Sequence, residues 1–375
     1  MRSIRKNLKT NKSAFRGGLF LFGAIVGIGI FALPYAGLQL GLFWGLAVLI
    51  LAGLLAWLLN LAYAKLVLVS GDNCQLGNYG RRYWGTAGWL LGSLAVLVNI
   101  NGALLAYLIG AGNFLHLLFL QLSPFLGGLI FLVIAFPVIA LGLKLVARAN
   151  EVLAWILIFL MVSFLSWGIL HVNPGNFFVK ISDGSGSLLQ FFSVFFFSFT
   201  GFAVIPELAE TLNFKPRSVY RAVELGSLLP IILYGLFVVV GLRILGGEVS
   251  EEFIFSLGKV SLIWARLLSV VALIAIAGSF FTFGFTLKEF WQQDFGFSKP
   301  LSLILTVLPP PLFYFFGSRN FLAVISFTGG TSCLLMGGLI LACWLREMMS
   351  NRKNGQLAKH NPRINPKPKK LKIND

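Results

Sequence analysis

The sequence predicts an all-α integral membrane protein, on three observations. Of its 375 residues 57% are hydrophobic and 11% charged, against about 25% charged in ordinary soluble domains. Thirty basic and 13 acidic side chains are too few to cover a water-soluble globule of this size, and mean hydropathy is +0.86. The apolar residues come in runs of about 20, the length a helix needs to cross the hydrocarbon core. Those runs do not alternate: Leu46 to Leu59 is apolar throughout, whereas a membrane β-barrel needs short alternating segments. Glycine has no fixed period, and Cys74, Cys333 and Cys343 are an odd set in or beside apolar segments. Collagen-like and disulfide-scaffold classes are thereby excluded.

Ten spans are expected. The first, 17–40, follows the basic segment 1–16 and is interrupted only by glycines and Pro34. The second, 42–69, ends at the polar stretch beginning Ser70-Gly71-Asp72. Span 3 (87–119) carries Asn99, Asn101 and Tyr107 at membrane depth. Spans 4 (124–144) and 5 (149–171) are separated by Lys144 and Arg148. Span 6 (188–210) is phenylalanine-rich and contains Pro206, and span 7 (219–245) follows Lys215 and Arg217. Spans 8 (260–291), 9 (299–317) and 10 (319–346) complete the set, before the basic tail 347–375.

Charge orients the spans. With the N-terminus cytoplasmic, ten spans return the C-terminus to the same side. All 30 basic residues then fall in cytoplasmic segments except Lys180, Arg243, Lys259, Arg266 and Arg319, as the positive-inside rule expects. The net charge of +17 therefore belongs to loops and tails between apolar helices. No nucleic-acid partner is expected; the proline-rich tail is read as a solvated, disordered anchor that touches anionic lipid. The first apolar stretch exceeds a signal-peptide core and lacks a following small-residue cleavage site, so it is expected to stay as span 1.

The chain divides into halves of five spans, 17–171 and 187–346. An odd number per half makes the second half start from the opposite side, the arrangement of an inverted repeat. The first span of each half carries a matching interruption: GAIVGIGIFALPYAG and FFFSFTGFAVIPELAE. Gly29 precedes Pro34 by five residues, and Gly201 precedes Pro206 by five; Phe31-Ala32 and Phe202-Ala203 follow the two glycines. Glycine weakens a helix and proline removes one of its hydrogen bonds. Backbone groups freed inside a bilayer must find partners in protein or in a cavity. Paired interruptions at corresponding points therefore point to the binding site of a membrane transporter.

The span 1 interruption resembles the amino acid–polyamine–organocation superfamily, whose fold is of the leucine-transporter type. The branch most similar is the amino acid/auxin permeases, including bacterial tyrosine and tryptophan permeases; SFTGFAVIPEL in span 6 resembles their glycine-rich break followed by Ile-Pro. The resemblance implies ten helices in a 5+5 inverted repeat with spans 1 and 6 broken. The branch commonly has an eleventh helix, whereas ten are expected from this sequence.

It also implies a site and its residues. A buried amino acid presents a carboxylate and an ammonium, both costly without partners. Gly27, Ile28 and Gly29 would line the carboxylate pocket with backbone amides. Ser198, Thr200 and Gly201 would offer oxygens to the ammonium, with Phe199 and Phe202 beside it. No charged residue lies at either break, so a neutral substrate is expected, aromatic as the first choice by resemblance alone. Tyr107 and Asn101 on span 3 would reach the substrate; interhelical hydrogen bonding is the alternative for Tyr107, Asn99 and Asn101.

No cofactor is expected, only a coupling ion. Glu207, a carboxyl inside a span, is the candidate proton carrier, with Glu210 second; pairing with Lys215, Arg217 or Arg221 is the alternative. Sodium is the rival. Related sodium symporters imply carbonyls of Gly23 and Val26 and hydroxyls of Ser279 and Thr282 as ligands, although the adjacent hydroxyl pair of those proteins is absent. A lysine that serves proton-driven relatives is missing from span 5. The 71–85 segment is read as a gating loop or a plain connector, and EVSEEF before span 8 as a lid. An enzyme is not expected: the serine of GSGS (184–187) has no suitable histidine in a neighbouring span. The reading is a multi-pass transporter of neutral amino acids in the cell membrane; a transporter-like sensor or channel is the alternative.

Overall fold

The computed structural model describes residues 2–360 apart from 73, 141, 174, 177–186 and 318. Lys180, Ser185 of the GSGS stretch and the tail beyond His360 lie outside the described residues. Within them the chain is helical, with no strand. α1 (Arg2–Ile25) stops where Gly27 takes φ −117° and ψ −147°, and a 3-10 turn over Ile28–Ala32 leads into α2 (Leu33–Leu40). The segments Asn11–Ile25 and Ile28–Leu40 meet at 50°. Gly41, at φ 77°, turns the chain back into α3 (Leu42–Ser70). The hairpin is tight: a Cβ on Gly45 would lie 2.8 Å from Gly37 Cα.

α4 (Leu76–Leu118) begins well before the predicted start at 87, because the polar GNYGRRYW stretch is helical too; Gly85, at φ 62°, kinks it. α5 (Pro124–Ala140) and α6 (Leu143–Leu170) close the first half. α7 (Leu188–Ser198) ends in a second break, followed by a 3-10 turn over Phe202–Val204 and α8 (Ile205–Thr211). Then come α9 (Pro216–Leu245), the short α10 (Phe253–Val260) and α11 (Leu262–Gln293). The ninth predicted span is two helices, α12 (Lys299–Val307) and α13 (Pro309–Phe316). Three consecutive prolines from Pro309 lack the amides that would continue the first. The tenth joins α14 (Phe321–Thr331) to α15 (Gly338–His360) through a π-helical turn over Ser332–Gly337. The N-terminal basic segment is helical from Arg2, continuous with span 1, and α15 runs on past 346 to His360.

Eight helices are long and apolar enough to cross a membrane, the bent α1–α2 pair makes up to nine, and Pro124–Ala140 is shorter. The ten predicted spans each fall on one of these. α1 packs chiefly on α9 and α6, while α7 packs on α3 and α14; α6 packs on α11 and α14 on α4. α4 and α11 also meet each other, as do α3 and α9. The two breaks therefore lie inside the bundle: every residue from Gly17 to Pro34 and from Phe195 to Ala209 is buried.

Candidate functional site

The breaks face each other. A Cβ on Gly29 would collide with the Ser198 hydroxyl and lie 3.0 Å from Ser198 Cα; a Cβ on Gly201 would lie 2.6 Å from Ile25 Cγ1. Gly29 thus admits the Ser198 backbone and hydroxyl, and Gly201 admits the Ile25 side chain, so a side chain added at either glycine would push the two breaks apart. Gly27 does the same for two further groups: a Cβ there would meet Ser279 Oγ at 2.8 Å and Tyr107 Cε1 at 3.0 Å. Tyr107 is buried and its ring packs edge-on against Phe280. Gly27, Gly29, Tyr107, Ser198, Gly201 and Ser279, expected in the site from sequence, are therefore gathered here.

Backbone oxygens at the breaks have side-chain donors. Ser279 Oγ donates to Gly23 O at 3.2 Å, and Asn150 Nδ2 to Phe20 O at 2.8 Å. The Tyr234 hydroxyl lies 3.2 Å from Ile25 O and 3.0 Å from Ser198 O. Ser198 and Thr200 donate to carbonyls of their own turn, Val194 O and Phe197 O. Thr282, one turn after Ser279, donates to Gly278 O within its own helix. Asn101 is not gathered with the others. Its amide turns back to Leu97 O at 2.9 Å, and it points about 120° around α4 from Tyr107 at 100° per residue. Asn99 makes an interhelical bond, to Ser332 Oγ at 2.6 Å.

Asn150 and Tyr234 did not emerge from sequence. Asn150 fills the space that glycines leave at Gly23 and Gly278: a Cβ on Gly278 would be 2.7 Å from its Oδ1. That oxygen is buried and accepts no hydrogen bond among the described residues. A buried asparagine at the start of a span is the one signal that singles it out.

Glu207 is 2% exposed and meets neither Lys215, Arg217 nor Arg221 in any ion pair among the described residues. Its Oε1 accepts from Gln75 Nε2 at 2.9 Å, and the Gln75 backbone amide donates to Asp294 Oδ1 at 3.1 Å. The 71–75 loop is thereby tied to α8 and to the end of α11. Half-buried Cys74 lies in the same loop. Nearby, a cavity of 1280 Å³ is lined by Lys12, Arg16, Phe20, Arg148 and Glu210 among others. It reaches the part of α1 just before the break.

Beyond the breaks, toward α2, rings close the way. Phe31 stacks edge-on with Phe114 and Phe237 at 5.6 and 5.8 Å, and Phe237 with Phe253 of α10 at 5.1 Å. All four are fully buried. Glu252, at the start of α10, accepts from Asn113 of α4 at 2.7 Å. The EVSEEF segment is thus tied to α4.

Two interrupted helices that meet at a buried point, with packed rings on one side and a polar tie on the other, are an arrangement that suits a membrane transporter. The fold is shared with Mhp1, a nucleobase-cation-symport-1 family transporter solved in a closed conformation with bromovinylhydantoin bound. The likeness covers 83% of this chain and 74% of that one at a TM-score of 0.58 and 14% identity. The chain belongs to the tryptophan/tyrosine permease family, whose model matches residues 10–354. It is 25% identical over 339 residues to glutamine transporter 2 of Aliivibrio fischeri, covering 85% of each chain. It is 23% identical over 353 residues to the tryptophan-specific transport protein of Shigella flexneri, covering 86% of this chain and 83% of that one. The branched-chain amino acid permease BcaP of Bacillus subtilis is 27% identical over 252 residues, 62% of this chain and 54% of that one. The chain is a multi-span membrane permease of an amino acid permease family, not an enzyme.

Proposed function

We propose that the chain is a secondary active transporter of neutral amino acids, coupled to protons and working by alternating access around the two breaks. The observation that carries this is the interlock of Gly29 with Ser198 and of Gly201 with the Ile25 side chain, beside the Ile25 and Ser198 carbonyls that share the Tyr234 hydroxyl. The segment after Gly27 starts with amides that have no intrahelical acceptor and suits a carboxylate; oxygens around Ser198 suit an ammonium. No charged side chain stands at either break, which favours a neutral substrate.

We read the architecture as ten spans in a 5+5 inverted repeat, with spans 1 and 6 broken and both termini cytoplasmic. The packing supports it: exchanging each span for its counterpart five later turns α1 on α9 into α7 on α3, and α6 on α11 into α14 on α4. The named relatives are transporters of an amide, an indole and branched side chains, so the aromatic preference is kept only as the first choice. Glu207 is the proton carrier we favour, being buried and in contact with a neutral partner, Gln75. Sodium coupling is the second reading, supported by the meeting of Ser279 and Gly23 O, with Val26 and Thr282 near in sequence.

The test is counterflow in proteoliposomes with a panel of labelled amino acids, under an imposed proton or sodium gradient. Accumulation of a neutral amino acid driven by the proton gradient is expected. Absence of exchange with every amino acid, by folded protein, would overturn the reading in favour of a sensor or another solute.

A further inference from the structure

Tyr234 is fully buried on α9 and touches both breaks. Its ring is fixed by Phe199, 4.9 Å between centroids, so the hydroxyl cannot swing away from the two carbonyls without moving the second break. A phenol carries one proton, and carbonyl oxygens only accept. That one proton bonds fully to Ile25 O or to Ser198 O, or is shared weakly between them. The two carbonyls are not equivalent. Ile25 O also accepts from Gly27 N at 2.9 Å. Ser198 O ends α7, and the amide four residues on, at Phe202, belongs to the next helical segment. When the phenolic proton turns to Ile25, Ser198 O is left seeking a donor in a dry place, where an unpaired acceptor is costly. The hydroxyls of Ser198 and Thr200 do not supply one, since both donate to their own helix.

We propose that Tyr234 is the positioning residue of the ammonium subsite: its single proton moves to Ile25 O as the substrate's ammonium takes Ser198 O, and the phenol ties the two breaks together around the bound amino acid. The proposal rests on the amino acid transport reading above. An ammonium brings three donors, so its arrival satisfies an oxygen that the empty protein satisfies only by sharing.

The test compares wild type with Tyr234→Phe, which removes one oxygen atom and keeps the ring. The probes are an amino acid that wild type exchanges and the carboxylic acid lacking only its amino group. In the variant both carbonyls lack the phenolic donor when the site is empty, so the ammonium gains more on binding. Half-saturation for the amino acid is expected to fall at least threefold, with a lower maximal rate as release slows. The inhibition constant of the des-amino acid is expected to stay within twofold. The ligand-induced rise in unfolding temperature, which requires no turnover, is expected to grow for the amino acid alone. Equal shifts for both probes, no shift, or weaker amino acid binding would each overturn the proposal. A wild type that exchanges no amino acid would instead remove the reading on which it rests.

Discussion

Gln75 donates its side-chain amide to Glu207 Oε1 at 2.9 Å, across 132 residues of chain. The same residue gives its backbone amide to Asp294 Oδ1, so one short loop holds the helix after the second break and the end of α11. Substituting Gln75 by Ala leaves a buried carboxyl oxygen without its donor, a loss of about 1–3 kcal/mol. A fall in unfolding temperature in detergent is expected; an unchanged melting curve would show that the contact contributes nothing.

If Glu207 carries the coupled proton, Glu207→Gln preserves shape and the contact with Gln75 while removing the titration. Counterflow should persist at near wild-type rates, and gradient-driven accumulation and its dependence on pH should vanish. Intact proton-driven accumulation would move the proton elsewhere.

Gly29→Val places a branched side chain where Ser198 Cα lies 3.0 Å from the first added carbon. Overpacking of a close backbone approach costs about 1–3 kcal/mol, and here it forces the breaks apart. Uptake should drop at least about tenfold, the rate equivalent of 1.4 kcal/mol, while insertion into the membrane is retained. Both are read by labelled uptake beside detergent size exclusion.

Burial pushes the Asp294 carboxyl up to about 6, outweighing the backbone amides of Gln75 and Asn78, and Asp72 pushes the same way. Asp72 also accepts from Tyr79, and Cys74, Tyr63 and Glu207 lie around this loop, with Glu289 and Cys343 close to them. Because the tied arrangement binds a proton more firmly than a solvated aspartate does, acid stabilises it. That stability is present below the solvated value near 4 and is lost as pH rises through 6. Acidifying this face from pH 7 to 5 should therefore slow exchange roughly two- to fivefold, and Asp294→Asn should flatten the acid limb. An acid limb identical in the variant would separate the effect from Asp294.

Asn99 and Ser332 bond at 2.6 Å between α4 and the π-helical turn. A double-mutant cycle with Asn99→Ala and Ser332→Ala should give a coupling of about 0.6–1.7 kcal/mol, the range for hydrogen bonds between membrane helices. Simple additivity would mean that the bond is replaced by other partners.

Spans and breaks were legible because their causes are local. Twenty apolar residues or a glycine five before a proline is a property of one stretch, and each predicted span falls on a helix or helix pair. The start of α4 was misplaced for a local reason as well: hydropathy sees only the apolar part of a helix, and GNYGRRYW is polar. The partners of the breaks were not legible. Tyr234 lies 36 residues from Ser198 and 209 from Ile25, and Asn150 lies 130 from Phe20. Periodicity shows that such residues face inward but not whom they meet. Asn101 illustrates the converse: a polar residue at membrane depth can turn its amide back onto its own helix.

The seating of the 71–75 loop has a consequence for reactivity. Burial, with Asp72 and Asp294 adding to it, pushes the Cys74 thiol up to about 11. At neutral pH almost none of it is thiolate, the form that attacks electrophiles. If the loop leaves α8 and α11, burial and the Asp294 carboxylate recede together while Asp72 travels with the loop, and the sulfur moves toward an ordinary thiol. Cys343 is buried, and Cys333 is half-buried in the π-helical turn, so Cys333→Ser leaves Cys74 as the thiol that an alkylating agent reports. Its alkylation rate would then report how often the loop leaves α8 and α11, through a native residue rather than an introduced label.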